Sequence, residues 1–316
     1  MKYAAKRILM LLATMAIVSF LTFLAFDLIS GDQATAMLGT AATPEKLAAL
    51  RAELGLDRPF LVRYGEWLFG FFAGDLGVSA SYRQPVWTLI SSKVLVTLCL
   101  SLLSFLLITA VSIPLGLLST RWTGGPAAAA QTVFNQLCMA VPAFFTGILL
   151  SWIFGITLKW FVPGAFPGLS VDFTGSLRHL FFAAAAIAIP RIAMTVRMLR
   201  STIFSELQKD YVRTAISRGN DRTAVLYRHV LKNALAPVVT FLAQTMAEIV
   251  AGSIVVEQVF AIPGLGRMLV SSIANRDCPV VEAIVVILAF WVVLSNTAAD
   301  LIQQAVDPRL RLGGGA

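Results

Sequence analysis

Long apolar runs alternate with polar segments along this chain. The runs that predict membrane-spanning helices are Ile8–Ile29, Val94–Ser119, Val133–Phe161, Leu180–Leu199, Val238–Val256 and Val280–Ile302. At about 1.5 Å per residue, a helix needs roughly 20 apolar residues to cross about 30 Å of hydrocarbon. The fourth run is the weakest of the six, because its apolar stretch ends at Pro190 and is followed by Arg191 and Arg197.

Basic residues indicate which segments share a side of the membrane. With six spans and an inner N-terminus, fifteen of the 25 Lys and Arg residues lie inside, nine of them between Arg191 and Lys232. The positive-inside rule favours this arrangement and therefore a fourth span that crosses. Both termini are then cytoplasmic, and the arginines of the fourth span are expected to snorkel to the inner face.

The inner segment Ser201–Ala236 is polar and predicts short helices. The first ends at Gly219, which can adopt a positive φ, and Asn220 or Asp221 can cap the next helix. That helix, Arg222–Leu235, is expected to stop at Pro237, where the fifth span begins. Two roles fit the pattern: an amphipathic segment on anionic headgroups, or a lever that contacts a cytoplasmic partner.

The segment Gly31–Lys93, between the first two spans, predicts an external helical cap. Thr43-Pro44 suits the start of one helix, with Leu47, Leu50 and Leu54 at helical spacing. A second helix follows Pro59, with an aromatic face that is expected to rest on the bilayer interface. A docking platform for an external partner is the alternative.

Composition excludes most other classes of protein. Of the 316 residues, 58% are hydrophobic and 13% are charged, against about 45–50% and roughly 25% in soluble proteins. The net charge of +8 follows from the topology and does not indicate a nucleic acid partner. Three scattered cysteines and two distant histidines predict no disulfide framework and no metal site. The first apolar run is too long for a signal peptide, so it predicts a retained span.

A carboxylate lies near the middle of the fifth predicted span. Glu248 is the eleventh residue of Val238–Val256, with Gln244 one turn before it and Gly252 one turn after. A charged group facing lipid at this depth is costly, so Glu248 is expected to face the bundle interior or a water-filled path. These three residues are candidates for a translocation pathway; an ion pair or hydrogen bond to a neighbouring helix is the structural alternative.

Several short motifs occur in a fixed order along the whole chain. They are Leu54–Pro59, Asp210–Gly219 with Arg213-Thr214-Ala215 inside it, Leu235-Ala236-Pro237, Val255–Arg267, Asn275–Val281 and Asp307–Arg311. Together with the span pattern they resemble an inner-membrane permease subunit of the peptide/nickel class of ABC importers. Arg213 stands where ABC importer permeases usually have a glutamate before Ala-Ala, and this replacement is typical of the peptide/nickel class.

The resemblance implies an all-α polytopic fold of six transmembrane helices, the type I permease fold of ABC importers, with a small external helical segment after the first. It implies an ATPase coupling loop and an outer-loop motif. The coupling-loop candidates are Asp210, Tyr211, Arg213, Thr214, Ala215, Arg218 and Gly219, and the outer-loop candidates are Glu257, Phe260, Pro263, Gly264 and Gly266. The expected domains are residues 1–30, 31–93, 94–304 with the coupling loop 201–236, and the tail 305–316.

The resemblance also implies partners. They are a homologous second permease, two cytoplasmic ATPases, an external substrate-binding protein and membrane lipid, in a bacterial or archaeal cytoplasmic membrane. This chain lacks a Gly-x4-Gly-Lys-Ser/Thr phosphate loop, so it is expected to be no enzyme itself, with ATP and Mg bound by the ATPases.

Two alternatives stay open at the level of sequence. A stand-alone secondary transporter of a small cationic solute is one, although internal repeats are not evident; a structural or sensor subunit is the other. Peptides and metal chelates such as nickel complexes are both compatible with the motifs. Glu248 favours a cationic or metal-chelate substrate slightly.

Overall fold

The computed structural model describes residues 2–29, 43–53, 55–122 and 124–306, and the regular elements in these ranges are helices. In chain order they are α1 (Lys2–Ile29), α2 (Pro44–Glu53), α3 (Phe60–Ala73), α4 (Val86–Ser119), α5 (Gly125–Ala140), α6 (Ala143–Leu150), α7 (Phe173–Leu207), α8 (Asp210–Ser217), α9 (Arg222–Val225), α10 (Leu231–Val259), α11 (Leu265–Ala274) and α12 (Cys278–Val306). Two π-helical segments, Ser151–Thr157 and Leu226–Val230, follow α6 and α9. The all-α fold class predicted from the sequence is confirmed.

Five helices of the described residues are long and apolar enough to cross a membrane. They are Leu9–Leu28, Val86–Ser119, Phe173–Leu207, Thr223–Val259 and Cys278–Gln303. The range Thr223–Val259 combines most of α9, the second π-helical segment and α10. A sixth span results if α5 and α6 with its π-helical extension count as one. The chain is therefore a multi-pass membrane protein, and the doubtful fourth run lies in the middle of the 35-residue helix α7.

The third predicted span, Val133–Phe161, is not one helix. The chain bends by 99° between α5 and α6. Val141 is extended, with φ −81° and ψ 122°, and Pro142 precedes the first turn of α6. A residue before proline avoids the helical region because the proline ring clashes with it, so the break occurs at this dipeptide.

The predicted helix end at Pro237 is wrong. The helix α10 begins at Leu231 and continues through Pro237 to Val259. A proline inside a helix removes a hydrogen bond and costs about 3 kcal/mol. Here Ala234 and Val238 on either side are fully buried, and the burial of these apolar side chains favours the helix.

The chain divides into two compact units, residues 1–97 with 263–293 and residues 98–262 with 294–316. In the first unit, the predicted helices after Thr43 and Pro59 are present as α2 and α3. The aromatic face of α3 packs on α1, where Phe20 and Phe23 meet the rings of Phe60, Tyr64 and Trp67 at centroid distances of 5.3–5.8 Å. The expectation that this face rests on the bilayer interface is therefore wrong.

In the second unit, α7 is the central helix and packs against α5, α6 and α10. Its buried face is rich in alanine, including Ala183, Ala184 and Ala186, and small residues allow helix backbones to approach closely. Gly116 of α4 also allows a close approach to α7, because an added Cβ there would lie 2.6 Å from Leu199 Cδ2.

Some predicted features fall outside the described residues. They are the first part of the external segment, residues 31–42, together with Leu54 and the tail motif Asp307–Arg311.

Candidate functional site

An ion pair joins the middles of two spans in the second unit. The guanidinium Nη1 of Arg191 donates to the Oε2 atom of Glu248. Arg191 is the 19th of the 35 residues of α7, and Glu248 is the 18th of the 29 residues of α10. Because α7 and α10 pack against each other, the two side chains meet far from either helix end.

This contact corrects one sequence expectation and resolves another. Arg191 does not snorkel away from the span but points to a carboxylate on the neighbouring helix. Glu248, for which the sequence offered no partner, has the ion pair of the structural alternative. A mid-span arginine after Pro190 and a mid-span acid in the next long helix were the signal that could have suggested it.

The pair is open on one side. The side chain of Glu248 is 50% exposed and that of Arg191 is 28% exposed in this chain. A lone charge at the bilayer centre costs about 2.5–3.5 kcal/mol on insertion scales, which favours contact of the open side with water or another polypeptide over contact with lipid. The role of Glu248 in a translocation pathway stays a prediction.

The two other pathway candidates share this face of α10. Gln244 is exposed one turn before Glu248. An added Cβ at Gly252, one turn after, would find no atom within 4 Å. Among the described residues, Gly252 therefore leaves open space on this face.

A second carboxylate, Glu206, fixes the end of α7 to α8. It is 8% exposed; Lys209 Nζ donates to its Oε1 at 2.5 Å, and the Tyr211 hydroxyl donates to its Oε2 at 2.8 Å. Burial raises the pKa of the Tyr211 hydroxyl; a hydrogen bond with Asn233 lowers it, and the Glu206 carboxylate raises it further. These contacts set the angle at which the chain leaves the long helix.

Helix α8 is amphipathic and presents a polar surface. Val212 and Ala215 are buried, whereas Asp210, Arg213 and Thr214 are exposed. Arg213 Nη1 lies 3.9 Å from Asp210 Oδ1 with both side chains in the open, an arrangement that contributes little stability. Five of the seven coupling-loop candidates thus lie in one short helix with an exposed polar face and a buried inner face, and Arg218 and Gly219 follow it.

The turn after α8 is built as the sequence predicts. Gly219 is exposed and has φ +84°, and its N–H donates to the Ile216 carbonyl at 2.9 Å. The two polar residues that follow divide the capping. Asn220 Nδ2 donates to the Ala215 carbonyl at 3.0 Å, and Asp221 Oδ2 accepts from the Thr223 N–H at 3.0 Å, so Asp221 caps the next helix.

The outer-loop candidates do not form a single exposed motif. In the second unit, Glu257 and Phe260 are fully buried. Buried His179 Nε2 lies 2.9 Å from the Phe260 carbonyl oxygen, to which it donates. The ring of His179 stands edge-on to those of Phe161 and Phe166, at 5.0 and 5.6 Å. These residues close the end of α10.

In the first unit, Pro263 is exposed, Gly264 precedes α11, and Gly266 lies buried inside that helix. The N–H of Leu265, at the start of α11, donates to Thr97 Oγ1 at 2.9 Å, which satisfies one of the free amides of the first turn.

A buried carboxylate in the first unit was not predicted from the sequence. Asp277 is fully buried and accepts from Ser79 Oγ at 2.5 Å and from the N–H groups of Ala80 and Ser81 at 3.1 and 3.3 Å. It ties the loop before α4 to the start of α12. Within the described residues, no three His, Cys, Asp or Glu side chains converge to hold a metal ion.

Two family models match the chain. The model described as the inner membrane component of binding-protein-dependent transport systems matches residues 112–312. The model described as the N-terminal part of the membrane component of such systems matches residues 1–102. Together they account for most of the chain.

Curated relatives match over nearly their full length. A provisionally named peptide transport system permease protein of Brucella abortus (strain 2308) is 37% identical over 306 residues, which cover 97% of this chain and 98% of the relative. The oligopeptide transport system permease protein AppB of Bacillus subtilis (strain 168) is 33% identical over 311 residues and 98% of both chains. The glutathione transport system permease protein GsiC of Salmonella choleraesuis (strain SC-B67) is 33% identical over 311 residues, 98% of this chain and 99% of the relative.

A solved structure has the same fold. The MetNI methionine ABC transporter in inward-facing conformations contains a chain that aligns with a TM-score of 0.55 at 18% identity. The alignment covers 69% of this chain and 96% of that one. At this identity the likeness concerns the fold alone.

Proposed function

This chain belongs to the family of inner membrane components of binding-protein-dependent transport systems and is a permease subunit of an ABC importer, and on that premise we propose that its substrates are peptides. The observation that carries the proposal is full-length similarity to permeases named for peptide, oligopeptide and glutathione transport. The ion pair of Glu248 with Arg191 supports it, because a carboxylate balanced by a guanidinium no longer favours a cationic or metal-chelate substrate.

The chain works in this proposal as one part of a larger assembly. A homologous second permease completes the pathway, an external binding protein delivers the substrate, and two cytoplasmic ATPases bind ATP and Mg. The distribution of basic residues supports an orientation with both termini and α8 in the cytoplasm of a bacterial or archaeal cell.

Helix α8 is the proposed contact for an ATPase subunit. Its exposed polar residues offer a surface for docking, and its inner face is held to α7 through Tyr211 and Glu206. Since α7 runs without a break from this anchor to Arg191, a displacement of α8 reaches the middle of the membrane through one rigid helix. Domain movements of this kind are a common basis of alternating states.

Reconstitution tests the transport activity. The assembly of both permeases and both ATPases, placed in liposomes with its binding protein, is expected to accumulate short peptides with ATP and to accumulate no nickel chelate. The chain alone, with an ion gradient in place of ATP, is expected to accumulate neither. Gradient-driven uptake by the chain alone would favour the secondary transporter instead.

Cysteine chemistry tests the orientation and the docking surface. In a background without Cys99, Cys138 and Cys278, Thr214→Cys is expected to react with an impermeant thiol reagent from inside and to cross-link to an ATPase subunit. The matched control is Tyr82→Cys, a 48% exposed position in the proposed external segment, which is expected to react from outside. Labelling of Thr214→Cys from outside would contradict both proposals.

A further inference from the structure

The mid-span ion pair carries two opposite charges that a ligand can reach. Glu248 and Arg191 contact each other across α10 and α7, yet half of the Glu248 side chain and over a quarter of the Arg191 side chain stay open. The open side leaves hydrogen-bonding capacity on both groups, because a carboxylate has two acceptor oxygens and a guanidinium has five donors.

The surface of α10 beside the pair offers a side-chain amide and open space. Gln244 is exposed on one side of Glu248, and Gly252 leaves open space on the other, since a Cβ added there would have no atom within 4 Å. These residues lie at i−4 and i+4, on one face of α10. An extended main chain can therefore lie along this face with an amide group of Gln244 within reach of its peptide units.

Short peptides have the complementary chemistry. At neutral pH a free peptide carries an ammonium group at one end and a carboxylate at the other. Its ammonium matches Glu248, and its carboxylate matches the forked donors of Arg191. Two to four residues span at most roughly 7–14 Å, so only short peptides engage both side chains without a large separation of α7 and α10.

We propose that Arg191 and Glu248 form a transient binding site for the two charged termini of a short peptide during its passage. The inference deepens the proposed function and rests on it. As the peptide arrives, its termini replace each side chain's partner, and as it leaves the two side chains pair again. Charge is balanced at each stage, so no lone charge is exposed at mid-membrane.

The test compares peptides that differ only at their termini. The complete reconstituted assembly is supplied with the shortest alanine peptide that its binding protein binds, with the N-acetylated form and with the C-terminal amide. Uptake is divided by the amount of each peptide bound to the binding protein, so that the selectivity of the binding protein does not enter the comparison. The wild-type assembly is expected to transport the free peptide at least 10-fold faster than either blocked form.

Three variants assign the preference to the pair. Glu248→Gln is expected to reduce the preference over the N-acetylated peptide to within 2-fold, and Arg191→Gln to do the same for the amide. Arg191→Gln with Glu248→Gln leaves no charge unpaired and is expected to assemble and to lose both preferences. The matched control neutralises the exposed pair Arg58–Glu66, whose atoms lie 2.5 Å apart in the first unit, and is expected to keep both preferences.

Each outcome bears on the inference. Assembled variants that keep the wild-type preferences would overturn it, and so would a double variant that fails to assemble, because the pair would then serve to join the helices. A wild-type assembly that transports free and blocked peptides equally would overturn it as well. A wild-type assembly that takes up no peptide at all would overturn the proposed function, and this inference would fall with it.

Discussion

Two carboxylates associated with the same helix are held in different ways. Glu206, near the end of α7, is 8% exposed and accepts hydrogen bonds from residues three and five positions away. Glu248 meets the middle of α7, has a partner 57 positions away and is half exposed. The first site is assembled as the helix end forms, whereas the second exists only once α7 and α10 have packed.

The difference in exposure indicates that the two carboxylates have different roles. A buried carboxylate such as Glu206 is not accessible to a ligand, and its hydrogen bond with Tyr211 holds α8 at the end of α7. A half-exposed carboxylate with one partner still has room for another. We infer from this contrast that the Glu206 site serves positioning and that the Glu248 site serves recognition.

The two sites are joined by one uninterrupted stretch of helix. Glu206 lies fifteen positions after Arg191 along α7, which corresponds to about 22 Å at 1.5 Å per residue. Pro190 lies inside this helix without ending it. A change of angle at the Glu206 end is therefore expected to move Arg191 relative to Glu248.

The largest effect is expected when the buried site is broken. Glu206→Ala removes the acceptor of the Tyr211 hydroxyl, and hydrogen bonds to charged groups contribute about 1.5–3 kcal/mol. Lys209 adds little because its side chain is 54% exposed. The free energy of unfolding of the assembly is expected to fall by about 2–3 kcal/mol, and coupling of ATP hydrolysis to uptake is expected to be lost. Both are measured on the reconstituted assembly.

A conservative change at the same position is the control. Glu206→Gln keeps an acceptor oxygen for Tyr211 and is expected to retain most of the stability and of the coupling. If Glu206→Ala were as stable and as tightly coupled as wild type, the end of α7 would not be the anchor of α8.

The features that sequence could predict are those set by local physics. Apolar run length predicted five of the spans as single helices. Gly219 was expected to adopt a positive φ because the chain must turn after a short helix, and the structure has φ +84° there. Thr43-Pro44 correctly gave the start of α2. Each of these depends on a few neighbouring residues, so no knowledge of packing was needed.

Prolines show where local rules fail. Pro142 and Pro237 lie in similar apolar surroundings, yet the chain bends by 99° next to the first and continues as a helix through the second. Next to Pro237, Ala234 and Val238 are fully buried, whereas Val141 before Pro142 is extended. Which outcome occurs depends on tertiary packing, and periodicity in one segment does not contain that information.

The ionic contacts could not be read from the sequence for the same reason. Arg191 was expected to snorkel to the inner face because the snorkelling argument considers one helix at a time. Its actual partner is on another span, and Asp277 likewise finds Ser79 at a separation of 198 residues. To predict pairs of this kind, one must know which helices lie next to each other in space, and a single sequence does not provide this.

A smaller effect on stability is expected when the half-exposed pair Arg191–Glu248 is broken. Its size distinguishes the role of Glu248 from that of Glu206. Arg191→Gln leaves Glu248 without its guanidinium partner. At a dry site such a loss costs about 3–5 kcal/mol, because the remaining charge is uncompensated. Glu248 is half exposed, so water is expected to solvate it, and the free energy of unfolding should fall by about 1 kcal/mol or less.

Arg197→Gln, six residues further along α7 and exposed, is the matched control and should leave stability unchanged. If thermal unfolding of the assembly showed a loss of about 3 kcal/mol or more for Arg191→Gln alone, Glu248 would lie in a dry interface, and the two carboxylates would have the same structural role.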